Sequence, residues 1–251
     1  MLLKVEGIVI RSMDYGENNI IISLYTRERG KISAMVRGAK KMSSRFASTT
    51  QLFTYGEFIV FKSGQMGTLN SCELIESHHK LREDLTMAAY SSYMAELYER
   101  IMPEQEEGNN YFFEQLKAGL SAIEEGKEPS VVLHIIEMKM LEISGYLPQL
   151  DCCVICGNDL GEMVLSVRNG GLLCSQSPCR LSDPESLLLT EATIKMLRLF
   201  LRMDLRRLGL IQVKANTKAQ LKISLRALMD TYIDVRWKSR RFIDQMEKYQ
   251  L

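Results

Sequence analysis

The sequence predicts an α+β protein, a small N-terminal β-barrel followed by an α-helical bundle with an inserted four-cysteine module. Three observations carry this reading. The first 76 residues alternate short β-branched runs with turns, the apolar period changes from two to helical at Lys80, and five of the six cysteines fall between Cys152 and Cys179.

The strands expected are 5–11, 19–26 with Ile20, Ile21 and Ile22, 31–36 after the Arg27–Gly30 turn, 52–62, and 68–76 after a Ser63-Gly64 turn. A long polar loop, 37–50, separates the third strand from the fourth. Five short strands with one long interruption fit the partly open Greek-key barrel of the OB-fold, with an SH3-like barrel as the alternative. This makes 1–79 a first domain.

From Lys80, the residues Leu81, Leu85, Ala88, Ala89, Ser92, Ala95 and Tyr98 recur as one helix face that ends near Pro103. Helices follow at 110–125 and at 129–144, where Pro129 starts the helix and Gly145 stops it. The later helices are 191–204, 218–237 and the extension 238–250, expected to join the earlier ones in a single bundle. The helical domain therefore comprises 80–151 and 183–251, with 152–182 inserted.

Cys153-Val-Ile-Cys156-Gly157 followed by Cys174 and Cys179 has the spacing of a zinc ribbon. Zinc takes four thiolates at tetrahedral corners, and a Cys-x-x-Cys turn aims two sulfurs at one point while Gly157 relaxes the backbone. The four-residue gap between Cys174 and Cys179 is wider than the commoner two but within ligand range. One structural zinc ion is expected. The alternatives are reduced, partly buried thiols, Cys152 replacing a neighbour as ligand, or a redox pair, although redox pairs normally open a helix after a strand.

A chain of 251 residues with 46% hydrophobic content can bury a proper core. Charge within the first seven residues and the lack of an 18-residue apolar run argue against a signal peptide or a membrane span. A cytoplasmic location is expected. Clustered cysteines in a reducing compartment favour metal over disulfides, with Cys72 as a buried strand thiol.

The net charge of +1 conceals an uneven distribution: +3 over 1–78, −8 over 79–151, −3 over 152–194 and +9 over 195–251. Basic ends on distinct elements favour an anionic partner, nucleic acid first. Arg37, Lys40, Lys41 and Arg45 share the loop 37–46 without an acidic residue, and Gly38 and Ser43-Ser44 keep it pliant. Such a loop can track a single-stranded backbone, with Tyr25, Phe46 and Tyr15 as stacking faces and Arg11, Arg27, Arg29 and Lys31 extending the path. The competing reading is a solvated loop whose aromatics are core. Glu28, between Arg27 and Arg29, also balances part of their charge.

Arg198, Arg202 and Arg206 recur at i, i+4, i+8, as do Lys214, Lys218, Lys222 and Arg226. Like charges at that spacing repel by a few tenths of a kcal/mol, about 0.2–0.5 per pair, unless an anion offsets them. The stripes therefore read as an anion-binding face, as solvated faces, or as partners of the acidic helices of 79–151. Catalysis has little support. There is no nucleotide-phosphate loop and no His-Glu-x-x-His site, and His78, His79 and His134 read as boundary or core histidines.

In their order, Gly7-Ile-Val-Ile-Arg11, Asp14-Tyr-Gly-Glu17, Leu24-Tyr-Thr-Arg27 with Gly30-Lys31, Arg37-Gly38-Ala39, Cys153-x-x-Cys156-Gly157 and Gly170-Gly171-Leu172-Leu173-Cys174 resemble the bacterial RecO family of recombination mediators, over the whole chain. The resemblance implies a non-enzymatic DNA repair protein that binds single- and double-stranded DNA and anneals complementary strands. It also implies that the protein engages single-stranded-DNA-binding protein and, with RecR, helps load RecA at the nucleoid, without a membrane. By carry-over, Arg37, Lys40, Lys41 and Arg45 lie in the DNA path and Cys153, Cys156, Cys174 and Cys179 hold zinc. The Cys174–Cys179 gap departs from the family pattern. The alternative is a zinc-containing interaction adaptor with little intrinsic DNA binding.

Overall fold

A computed structural model describes residues 1–62, 64, 66–103 and 109–249. Ser63 of the expected turn and Gln250 of the expected last helix lie outside the described residues. By contacts the chain divides into two compact units, Met1–Pro129 with the C-terminal segment from Trp237, and Ser130–Arg236.

The first unit opens with a closed barrel of strands β1 (Leu2–Tyr15), β2 (Asn19–Thr26), β3 (Gly30–Val36), β4 (Tyr55–Lys62) and β5 (Gly67–Glu76), in the order β1-β2-β3-β5-β4. This is the expected five-stranded OB-type barrel. β1 is longer than its apolar run suggests because it serves two neighbours. Its first half pairs with β4 (Leu2↔Phe61 to Ile8↔Tyr55) and its second half with β2 (Gly7↔Thr26 to Tyr15↔Asn19). A bulge between Val9 and Arg11 turns the strand from one partner to the other. There Val9 exchanges backbone hydrogen bonds with the end of the long loop, donating to Thr54 and accepting from Phe53.

Alternation along the strands sends Val5, Val9, Ile22, Leu24, Ala34, Val36, Phe58 and Val60 into the barrel core. β3 and β5 close the barrel in parallel, through Ala34↔Gly67 and Met35↔Thr68. Gly67 is required there because a Cβ would collide with the Val60 side chain. Cys72, on β5, packs half-buried against this core, and burial pushes its thiol up to about 11.

The helical run from Lys80 is split. α1 (Lys80–Glu83) stops at the extended Asp84, whose carboxylate accepts from the Met87 N–H at 2.8 Å and so starts α2 (Leu85–Ile101). α3 (Asn110–Glu124) is capped by Asn109 and tied to α2 by the Tyr98 hydroxyl, which donates to the Phe112 carbonyl. The last helix, α8 (Lys238–Tyr249), buries Ile243 and Met246 and packs on α2. Glu96 of α2 accepts from the backbone N–H groups of Lys238 and Ser239, at 3.0 and 2.8 Å, so one helix supplies the N-terminal cap of another. Trp237 packs edge-on against Tyr93. A helix from after the cysteine module thus packs on one before it, while the helices Glu191–Arg202 and Ala215–Tyr232 fall in the second unit and not in one bundle with α2 and α3.

α4 (Pro129–Ile143) ends before Gly145, at φ +79°. In the second unit a four-stranded sheet follows, built from β6 (Gln149–Cys153), β7 (Met163–Ser166), β8 (Gly171–Cys174) and β9 (Leu187–Leu188) in the order β6-β8-β7-β9. The one-turn helix α5 (Ser177–Leu181) sits between β8 and β9. α6 (Glu191–Arg202) and α7 (Ala215–Tyr232) pack on each other. α6 stops short of the predicted 204 because Asp204 accepts from the Arg206 N–H and opens a separate 3-10 turn, Leu205–Arg207. Within the described residues no helix is long and apolar enough to cross a membrane.

Candidate nucleic-acid interface and metal centre

The four predicted cysteines converge. Cys153 ends β6, and the turn after it is closed by the Gly157 N–H donating to the Cys153 carbonyl, with Gly157 at φ +75°. This turn presents Cys156 at the surface, while Cys174 ends β8 and Cys179 lies in α5. The four Sγ atoms lie within 4.8 Å of one another, and those of Cys156 and Cys174 are 3.5 Å apart. Tetrahedral zinc with bonds near 2.3 Å needs sulfurs about 3.8 Å apart, so the cluster fits one ion. The wide Cys174–Cys179 gap is taken up by the single turn of α5, which carries Cys179 back toward β8. Cys152, on the opposite side of β6, stands outside the cluster.

Electrostatics within the cluster are uneven. Burial opposes ionisation of Cys153, but backbone donors at Cys156, Cys174 and Ile155 outweigh it and bring the thiol down to about 6. Burial and the neighbouring thiols push Cys179 up to about 12. Four thiols this close do not ionise together without a cation, which is the chemistry a divalent ion supplies.

The basic loop is less pliant than its composition suggests. Its backbone runs through successive turns, with Lys41 donating to Gly38, Ser44 to Lys41 and Thr50 to Phe46. The Gly38 N–H donates to the Asn19 side chain and the Lys40 N–H to the Asn18 carbonyl. Ala39, Phe46, Thr49 and Thr50 are buried beneath it. Arg37, Lys40, Lys41 and Arg45 all remain exposed. Lys40 pairs with Asp14 at 2.6 Å, and Arg45 donates to the Asn70 carbonyl while lying over the Phe46 ring.

Several expected members of the DNA path are corrected. Tyr25 is 1% exposed, stacked with Phe113 and edge-on to Tyr98, so helix side chains cover the face a base would need. Phe46 belongs to the barrel core. Arg27 is held by Glu6 at 2.9 Å and Glu114 at 2.7 Å and lies over Phe113, which ties the barrel to α3. Lys31 donates to the Glu99 carbonyl at 2.8 Å. Arg11 pairs with Glu99 yet stays half-exposed, and Arg29 is exposed at the β2–β3 turn. That turn is separated from Arg37 by the whole of β3, about 20 Å at the usual strand rise.

At the loop's end of the barrel, Met13, Tyr15 and Met42 are exposed large apolar side chains. Tyr15 pairs with Asn19 next to Asp14, the partner of Lys40. In the second unit, Arg198 donates to the Leu150 carbonyl, Arg202 pairs with Asp151 and Arg206 with Asp204, so this stripe is met locally. Lys218, Lys222 and Arg226 follow one another along α7 half-buried, and exposed Lys214 precedes its first turn. Sequence reasoning missed Glu6, Glu99 and Glu114 as the residues that hold Arg27, Arg11 and Lys31. For Glu99 and Glu114 the signal was the acidic excess of 79–151.

Comparison with known proteins gives a consistent result. A family model described as Recombination protein O N terminal matches residues 1–78, and one described as Recombination protein O C terminal matches residues 82–241. The DNA repair protein RecO of Bacillus pumilus is 44% identical over 247 residues, covering 98% of this chain and 95% of the relative. The DNA repair protein RecO of Bacillus cereus is 43% identical over 251 residues, the full length of both chains.

Proposed function

The chain belongs to the RecO family of DNA repair proteins, and from that premise we propose that it is a non-enzymatic recombination mediator. It binds single- and double-stranded DNA, anneals complementary strands, and with RecR helps load RecA onto strands coated with single-stranded-DNA-binding protein. It works in the cytoplasm at the nucleoid. The observation that carries this reading is the exposed cluster Arg37, Lys40, Lys41 and Arg45 on a loop anchored by its own buried residues. A fixed row of cations binds phosphates with less ordering cost than a floppy one, and Tyr15 beside it offers a face for a base. Arg11 and Arg29 lie farther along the same domain.

Lys214, Lys218, Lys222 and Arg226 form a second basic face. Two such faces lower the repulsion between two polyanions, and base pairing then takes over the binding energy. One zinc ion, held by Cys153, Cys156, Cys174 and Cys179, fixes the module 152–182 and has no open position for catalysis. The chain is read as an OB domain, 1–79, and a helical domain, 80–151 and 183–251, around that module.

The test is affinity for a labelled single-stranded oligonucleotide across a salt series, for the parent and for a variant with Arg37, Lys40, Lys41 and Arg45 all changed to Ala. The expected result is a steep slope that falls by roughly 0.7 for each phosphate the variant no longer neutralises. Equal binding by both overturns the loop assignment in favour of α7. No binding by either favours the adaptor.

A further inference from the structure

Outside the cysteine cluster, one other group of metal-ligating side chains comes together among the described residues, Glu76, His78 and Glu124. Glu76 ends β5, His78 lies in the link to α1, and Glu124 ends α3, all within the first unit. The His78 side chain is wholly buried, and its backbone adopts φ +47°, a conformation costly for histidine. Its Nδ1 stands 2.6 Å from Glu124 Oε2, a hydrogen bond that turns Nε2 toward Glu76. Nε2 has no hydrogen-bond partner and is 3.6 Å from Glu76 Oε2.

A buried ring nitrogen that faces a carboxylate without a hydrogen bond is unfavourable unless a positive charge, a proton or a metal ion, lies between them. Two ligands of an ion with bonds near 2.1 Å stand about 3.0–3.4 Å apart, a few tenths of an ångström from the separation found. We propose that Glu76 and His78 form a second cation site, for a divalent ion accepting mixed nitrogen and oxygen ligands, such as Mn2+ or Zn2+. His78 Nε2 and the Glu76 carboxylate are the ligands and water fills the other positions. Glu124 orients the imidazole from behind, as carboxylates commonly do for metal-bound histidine. Half-buried Arg82, which donates to the Leu52 and Ser77 carbonyls, adds a positive charge near Glu124. The ion would fasten the end of the barrel to the start of the helical region.

The experiment titrates Mn2+ into protein retaining its thiolate-bound metal and follows bound Mn2+ by electron paramagnetic resonance, with pulsed detection of coupled 14N. Mn2+ avoids thiolates, so the cysteine cluster does not contribute. One ion per chain with imidazole nitrogen coupling is expected. Glu76→Gln and His78→Asn abolish both, asparagine being chosen because it tolerates positive φ. Glu124→Gln, acting through the histidine, weakens binding by about 10–100-fold and leaves the nitrogen coupling of the bound fraction intact. No binding below millimolar Mn2+ overturns the proposal. So does bound Mn2+ without nitrogen coupling, or binding unchanged in the folded Glu76→Gln protein.

Discussion

Lys40 Nζ and Asp14 Oδ2 stand 2.6 Å apart, which ties the basic loop to the end of β1. Both side chains are solvent-accessible, 39% and 72% exposed, so the pair is worth at most about 1 kcal/mol. DNA phosphate and Asp14 compete for the same ammonium. Asp14→Asn is expected to raise single-strand affinity by up to about fivefold at low salt and to steepen the salt slope. A filter-binding series at several salt concentrations checks it.

Tyr15 and Tyr25 make opposite predictions. Tyr15 is 48% exposed beside the loop, and Tyr25 is sealed under Tyr98 and Phe113. Tyr15→Ala is expected to weaken oligonucleotide binding by about 1–3 kcal/mol, the loss of one stacked base. Tyr25→Phe is expected to leave it unchanged. Quenching of tyrosine emission by poly(dT) separates the two.

Arg27→Ala is predicted to be a stability mutant. Its partners Glu6 and Glu114 are only partly screened, so removal costs about 1–3 kcal/mol in denaturant unfolding, with DNA affinity per folded molecule unchanged. The same network sets a pH dependence. Burial pushes the Glu6 carboxyl up, but the Tyr55 hydroxyl and the Arg27 guanidinium outweigh it and hold it below the ordinary 4.5. A depressed carboxyl stabilises the fold above its unfolded value and loses that contribution as pH falls through the folded value. Stability should therefore decline on acidification below 4.5, and less steeply in Glu6→Gln. Thermal melts across that range measure it.

Cys174→Ser is expected to prevent binding of the one zinc ion per chain that the cluster is proposed to hold, and to lower the melting temperature. The β6–β9 sheet loses its tie, since β8 ends in Cys174 and β6 in Cys153. Hydrogen exchange should show loss of protection there and retention in the barrel. A strong chelator should reproduce the pattern in the parent chain.

The barrel and the cysteine cluster were legible because both are written in short-range pattern. Period-two runs such as 19–26 define strands, and thiol spacing defines a shared ligand point. The exposure of single side chains was not. Tyr25 sits in a strand buried along nearly its whole length, because its outer face is covered by Tyr98 and Phe113, more than 70 residues away in sequence. For the same reason Arg27 and Lys31 read as free cations until α2 and α3 supply their partners. Phe46 was ambiguous because a buried loop aromatic and a stacking one share the same local sequence.

The chain leaves its first unit at Pro129 and returns at Trp237, where Glu96 caps α8. During synthesis the docking site on α2 therefore emerges long before the helix that covers it. About 140 residues separate Glu96 from Lys238, so at about 5–20 residues per second the wait is roughly 7–30 s. Through that interval Tyr93 and the flank of α2 that α8 later covers stand open on a nascent chain.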